Sequence, residues 1–168
     1  MITDVRGLES RSLTLRGDPE SCRASAADVR ALAAVTEEVA AYLLSRRDLD
    51  DGSGRWAAAY GARCRRAIDL ADELAGRCRD VATALHSAAD LLDGAERDLR
   101  ETRYLAAEHQ LLTGNRLLPP SPGSSAAVWA AWRRADELVT DVRAAEREAR
   151  HGVERALETT ALETGGAQ

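Results

Sequence analysis

The side chains that could perform chemistry are few in this sequence, and they are scattered. The three histidines, His86, His109 and His151, lie far apart in polar or mixed surroundings, so they build no Ser-His-Asp or Cys-His arrangement. One Glu-x-x-His motif occurs, Glu148-Ala149-Arg150-His151, whereas a di-iron bundle needs two such motifs and two further glutamates. The pattern predicts that the protein is not an enzyme and has no metal site and no cofactor.

The cysteines leave two alternatives open. Cys64 and Cys78 lie two heptads apart on one predicted helix, roughly 21 Å at 1.5 Å per residue, so they cannot bridge each other. If the first two helices form an antiparallel hairpin about a turn near residue 51, Cys22 comes near Cys78, and a disulfide there would suit an exported protein. The commoner alternative is that all three are small apolar core residues.

The composition favours closely packed helices. The 168 residues include 33 alanines and no phenylalanine, so a core must be built from Leu, Val and Ala at short interhelical distances. All 23 basic residues are arginine, and the net charge is −5. An acidic balance with so few aromatic residues argues against nucleic-acid binding.

No stretch of the sequence approaches the ~18 apolar residues that a membrane span requires. The N-terminus, Met1–Arg6, also lacks the apolar region of a signal peptide. We therefore expect synthesis in the cytoplasm, no stable membrane insertion, and any export to occur without a cleaved signal peptide.

Capping and breaking signals divide the chain into three helices. In Gly17-Asp18-Pro19-Glu20, Asp18 suits an N-cap and Pro19 the first helical position. We predict a flexible arm over 1–16, a helical bundle over 17–163 and a disordered tail over 164–168. Its helices are expected at about 19–47, 54–112 and 125–163.

The connections between these helices also have sequence signals. Asp51-Gly52-Ser53-Gly54 predicts a turn, and the prolines of Leu117–Gly123 predict a stiff linker. Gly114-Asn115 is the expected stop of the second helix. That helix would be unusually long, and Gly94 or the region around Thr102 could break it.

An apolar heptad runs without polar interruption from Tyr60 to Leu99. The positions beside it are also small or apolar, so the surface is wide enough to meet more than one helix. The fold class predicted is all-α: an elongated antiparallel hairpin with a long second helix, plus a third long helix, in a three- to four-helix bundle. Near the glycine turn only one intramolecular partner is available, so we expect an exposed patch for a second chain at Val35, Tyr42, Gly61 and Ile68.

Four features in order resemble the Trp-x-Gly (Esx-like) superfamily, in particular the N-terminal helical targeting domains of actinobacterial type VII secretion substrates. The first helix opens with Gly-Asp-Pro, Gly54 matches the glycine of the turn, and Ala59-Tyr60 matches the Ala-aromatic pair that follows it. Tyr104 and Glu108 match the Tyr-x-x-x-Asp/Glu export signal. The sequence departs from the family at the turn, where Gly52 stands in the tryptophan position and Trp56 follows the glycine.

The resemblance implies a non-enzymatic type VII secretion substrate or adaptor. It would pair through its hairpin with a small helical hairpin protein or with itself, and a secretion ATPase is a further partner that the family implies. The alternative is a cytoplasmic structural or regulatory coiled-coil bundle that forms homo-oligomers.

Overall fold

The protein is an all-α helical bundle, as the sequence predicts. The computed structural model describes residues 9–49 and 54–165. Three long helices account for most of the chain, and three two-residue strands form a small sheet. In chain order the elements are β1 Arg11–Ser12, α1 Pro19–Leu49, α2 Arg55–Glu108, β2 Leu112–Thr113, β3 Arg116–Leu117 and α3 Ala126–Gly165.

The predicted helix starts are confirmed to within a residue or so. Helix α1 begins at Pro19, whose missing N–H costs nothing in the first turn. Helix α2 begins after Gly54, which has a φ of 110°. Ser125 caps α3, because its hydroxyl accepts a hydrogen bond from the amide of Val128 at 3.4 Å. The predicted turn residues 51–53 lie outside the described residues.

Helix α2 is continuous over 54 residues and breaks neither at Gly94 nor at Thr102. The Thr102 side chain is fully buried, and its hydroxyl donates to the carbonyl of Asp98 at 2.8 Å. A buried polar group is tolerated when it is hydrogen-bonded, so the loss of the apolar heptad at this point does not end the helix.

The expectation that α2 reaches residue 112 is wrong, because a left-handed cap ends it at Glu108. Gln110 has a φ of 56°, and its amide donates to the carbonyl of Ala107 at 3.2 Å. The amide of Leu111 donates to the carbonyl of Ala106 at 2.7 Å. This pair of hydrogen bonds is a Schellman motif, with glutamine at the position that glycine usually occupies.

Gly114-Asn115 is not a helix stop but the two-residue turn of a β-hairpin. Thr113 pairs with Arg116 across it, and Gly114 has a φ of 57°. A glycine with positive φ at the first central position is typical of a type II′ turn. The first residue of the predicted linker, Leu117, accordingly lies in β3 and is fully buried.

The described part of the predicted flexible arm, residues 9–16, is ordered and packed. Strand β1 pairs antiparallel with β3, and the Leu13 side chain is fully buried. The amide of Leu13 donates to the carbonyl of Asn115 at 2.9 Å, and Arg103 donates to the carbonyl of Leu13 at 2.7 Å. The prediction of a free arm fails because a hydrophobic anchor and backbone pairing hold this segment.

The predicted tail also differs, since α3 continues through Thr164 and Gly165. Residues 166–168 lie outside the described part of the chain. The buried apolar face of α3 includes Trp132, Ala135, Leu138, Val142 and Ala149.

The contacts divide the chain into two compact units. The first unit contains Met1–Pro19 and Ala88–His151, and the second contains Glu20–Ser87 and Gly152–Gln168. A cluster in the first unit buries large side chains, including Leu13, Leu99, Leu117 and Trp132. The second unit buries only small ones: Ala26, Ala33, Ala40, Cys64, Ala75, Cys78, Val81 and Ala82.

We predict that Leu13→Ala destabilises the protein by about 2–5 kcal/mol, the usual cost of truncating a buried leucine. Leu70→Ala is the matched control, because Leu70 is 65% exposed. Its free energy of unfolding should change by less than about 0.5 kcal/mol. Denaturant unfolding of both variants measures the difference, and equal stabilities would show that the N-terminal segment is not anchored by Leu13.

Candidate protein-interaction surface

The large apolar side chains are distributed unequally between the two units. Among the described side chains, those more than 40% exposed all belong to the second unit except Tyr104. They include four residues of α1 and four of α2. The α1 stripe consists of Leu32, Val35, Val39 and Tyr42, and the α2 stripe consists of Trp56, Tyr60, Leu70 and Leu74.

The α1 stripe has the 3-4-3 spacing of a coiled-coil contact face. At 100° per residue its four members fall within about a quarter of a turn. The buried alanines of α1, Ala26, Ala33 and Ala40, are spaced by seven residues and lie roughly a third of a turn away. Helix α1 therefore has two apolar faces, of which only the small-residue face is buried.

Tyr42 ends this stripe and is held by its neighbours. The Arg46 guanidinium lies over the Tyr42 ring, 5.3 Å from the centroid, and its Nε donates to the phenolic oxygen at 3.2 Å. The ring remains 57% exposed. A fixed aromatic with an arginine on one face keeps its other face available for a contact.

The α2 stripe occupies one face over the first 20 residues of that helix. Trp56 and Tyr60 are four residues apart, as are Leu70 and Leu74. All four lie on one side of the helix, within an angular range of roughly a quarter of a turn around its axis. Trp56 is 87% exposed and Leu70 is 65% exposed. Farther along α2 the same face is buried at Cys78 and Val81.

The register of α3 explains this change along α2. The Arg77 side chain donates to the carbonyl of Thr160 at 3.2 Å, and Arg134 bonds Glu101 at 3.5 Å, so α2 and α3 run antiparallel. Helix α3 ends at Gly165, which places its end opposite about residue 72 of α2. Among the described residues, the first turns of α2 consequently lack the second intramolecular neighbour that covers Cys78 and Val81.

The exposed apolar surface coincides only in part with the predicted patch. Val35 is 55% exposed and Tyr42 is 57% exposed, as expected. Gly61 and Ile68 are only half-buried rather than open, and the exposed apolar face of α2 is instead the one that carries Tyr60 and Leu74. These two belong to the heptad that the sequence predicts to be buried.

The register between α1 and α2 does not favour the Cys22–Cys78 disulfide. Glu37 binds Arg79 at 2.6 Å. Arg79 lies about 14 residues farther along α2 than the residue that a hairpin centred near residue 51 would place opposite Glu37. That displacement is about 20 Å along the helix axis and moves Cys22 away from Cys78 by the same amount. All three cysteines are free thiols, with Cys64 and Cys78 buried and Cys22 half-buried.

The described residues of the turn motif are exposed together at the start of α2. Gly54 is exposed in the left-handed region, and its carbonyl accepts the amide of Ala58 at 3.2 Å. Ala59 is exposed, and Tyr60 is 43% exposed. The aromatic residues of this segment, Trp56 and Tyr60, thus form part of the exposed surface rather than a core.

Tyr104 and Glu108 lie on the last turns of α2, in the first unit. Tyr104 is 71% exposed, so it is not the ordinary packing aromatic that an alanine-rich helix could contain. Glu108 is exposed four residues later, on the same face. It is the last residue of the helix, where a negative charge is unfavourable, and that last turn contains no basic residue.

The described residues contain no group of three or more metal-binding side chains. None of the described helices is long and apolar enough to cross a membrane. Comparison with family models, with curated proteins and with solved structures gives no match.

We predict that Tyr104→Ala changes the free energy of unfolding by less than about 0.5 kcal/mol, because the side chain is mostly in solvent. The control Leu99→Ala, on the same helix, removes a fully buried side chain and should cost about 2–5 kcal/mol. Thermal unfolding compares the two variants. A large loss with Tyr104→Ala would mean that this tyrosine has a packing role.

Proposed function

We propose that this protein is a non-enzymatic type VII secretion substrate or adaptor that binds a helical partner through the hairpin of α1 and α2. The observation that carries the proposal is the distribution of apolar side chains in the second unit. Among the described residues, that unit buries alanines, two cysteines and Val81, and it exposes large side chains of leucine, valine, tyrosine and tryptophan. A monomer gains little from such an arrangement, whereas a complex would bury the large side chains.

The magnitude of the effect supports an interface. Complete burial of one valine or leucine side chain contributes about 1.5–3 kcal/mol. The two stripes offer eight large side chains that are already partly buried, so burying the rest of their surface contributes a free energy comparable with the cost of associating two chains. Large contiguous apolar patches on soluble proteins usually mark such contacts.

The spacing of the α1 stripe favours a helical partner. Its coiled-coil spacing presents a row into which another helix packs its own side chains, and the two exposed pairs of α2, Trp56 with Tyr60 and Leu70 with Leu74, add apolar contacts beside it. A second helical hairpin meets both rows at once and completes a four-helix arrangement. This is the kind of partner that the resemblance to the Esx-like superfamily implies.

The export signal has the exposure that recognition requires. Tyr104 and Glu108 share one face at the end of α2, and no ion pair of Glu108 occurs among the described side chains. An aromatic ring with a free carboxylate one turn away can be read by a receptor without unfolding the helix. A secretion ATPase is the receptor that the family resemblance suggests.

The second candidate function is that of a cytoplasmic homo-oligomeric bundle. It is favoured by the same stripes, since a second copy related by a two-fold axis could place its α1 stripe against the α2 stripe of the first. Trp56, two residues after the glycine rather than two before it, also departs from the secretion motif.

We expect Val35→Asp to abolish association with a helical hairpin protein encoded by a neighbouring gene, because it would bury a charge in an apolar contact. Ala34→Asp, at an exposed position beside the stripe on the same helix, is the matched control and should bind as wild type. Sedimentation velocity of each variant, alone and mixed with that protein, reports both hetero- and self-association.

The same measurement separates the two candidates. A wild-type complex with the second protein supports the adaptor, and a self-associated chain that ignores it supports the homo-oligomer. If the wild-type chain stays monomeric at tens of micromolar with every partner protein tested, both candidate functions are refuted.

Export is tested in an actinobacterial host with a type VII system. We expect Tyr104→Ala and Glu108→Ala each to lower the secreted fraction at least tenfold, because each removes one half of the recognition pair. Glu101→Ala removes another exposed carboxylate of α2 and should be exported normally. Immunoblots of culture filtrate and cell lysate measure the ratio, and undiminished secretion of the Tyr104 variant would exclude the signal.

A further inference from the structure

We propose that a cleft in the first unit binds a small soluble anion with two or more phosphate groups. The cleft has a volume of about 710 Å³ and lies between residues 9–16, strand β3 and helix α3. Six arginines line it: Arg11, Arg16, Arg116, Arg143, Arg147 and Arg150. The only carboxylates in its lining are those of Glu9 and Glu146, although the whole chain has a net charge of −5.

Part of this positive charge is already compensated. Arg11 pairs with Asp136 at 3.1 Å, and Arg143 binds both carboxylate oxygens of Glu146, at 2.6 and 2.7 Å. Among the described residues Arg116 donates only to the neutral hydroxyl and carbonyl of Ser10, so no described carboxylate neutralises its charge.

Three further guanidinium groups have no ion pair among the described residues. The side chains of Arg16, Arg147 and Arg150 have no carboxylate partner among the described side chains. Together with Arg116, and after subtraction of the Glu9 carboxylate in the same lining, they leave the described lining with a net excess of three positive charges. Like charges held close together repel one another unless an anion lies between them.

The walls of the cleft are built from specific contacts. Glu146 is 5% exposed and accepts the backbone amide of Arg16 at 2.6 Å, in addition to its bonds with Arg143. Arg143 also donates to the carbonyl of Ser12 at 2.6 Å and to that of Thr14 at 3.1 Å. These bonds hold the N-terminal segment beside α3. The positions of the arginines are therefore fixed in part by hydrogen bonds to the backbone of this segment.

The chemistry of the lining selects the ligand class. Guanidinium groups bind the oxygens of phosphates and of carboxylates with two parallel hydrogen bonds, so the charge and the volume of the cleft decide between these anions. The lining contains no aromatic ring for stacking a base, and Val139 is its only large apolar residue. The volume exceeds the need of a single phosphate, and a net excess of three positive charges matches a multiply charged anion.

Inorganic tripolyphosphate is the probe for this site, titrated into the full chain by calorimetry at low and high salt. We expect binding that weakens as NaCl is added, because exposed charges are screened. The double variant Arg147→Gln/Arg150→Gln should lower the affinity at least tenfold, and Arg16→Gln should lower it independently. Far-UV circular dichroism confirms that each variant keeps its helices.

A charge-matched control separates the cleft from general electrostatics. Arg133→Gln/Arg30→Gln removes two exposed arginines outside the cleft, and the affinity should stay within twofold of wild type. An equal loss in this control would overturn the proposal. Tighter binding of citrate, an acidic peptide or single-stranded DNA than of tripolyphosphate would also overturn the proposal. The same holds if no binding is detected at about 1 mM tripolyphosphate, a dissociation constant that corresponds to only about −4 kcal/mol.

Discussion

Close approach of alanine-rich helix faces is the constraint on which the rest of this structure depends. Alanines spaced by seven residues are buried on α1 and α2, at Ala26, Ala33 and Ala40 and at Ala75, Ala82 and Ala89. Such faces let helices pack at short distance, yet each alanine removes little apolar area from water. A unit built only from these faces therefore needs larger side chains from elsewhere, and the two units of the protein obtain them differently.

The first unit obtains them from its own non-helical segments. Leu13 comes from the segment before α1, and Leu111 and Leu117 come from the segment between α2 and α3. They join Leu99 and the Trp132 ring, whose edge packs on Trp129 with centroids 5.9 Å apart. The second unit has no such segment among its described residues, so its large side chains stay at the surface. A partner helix pair would supply to the second unit the large apolar side chains that the sheet segments supply to the first.

Helix content, helix starts and most buried faces were predictable because capping and periodicity are local. The end of α2 was not, because Gln110 adopts a conformation that normally indicates glycine. The Gly-Asn turn had a recognisable hairpin signal, but its strands are two residues long and form only because β1 pairs with β3. Which face of α2 is exposed depends on where α3 ends opposite it, a distant register that no local pattern specifies.

The arginine cleft was beyond sequence reasoning for the same reason. Its cations come from three separated parts of the chain, and helical spacing alone presents them as a solvated surface. The buried Glu146 helps to bring them together, because it binds Arg143 and the backbone amide of Arg16 at once. The cleft lies wholly in the first unit, whereas the two stripes lie wholly in the second. Anion binding and partner binding thus use separate residues, and each can be removed by substitution without altering the side chains that perform the other.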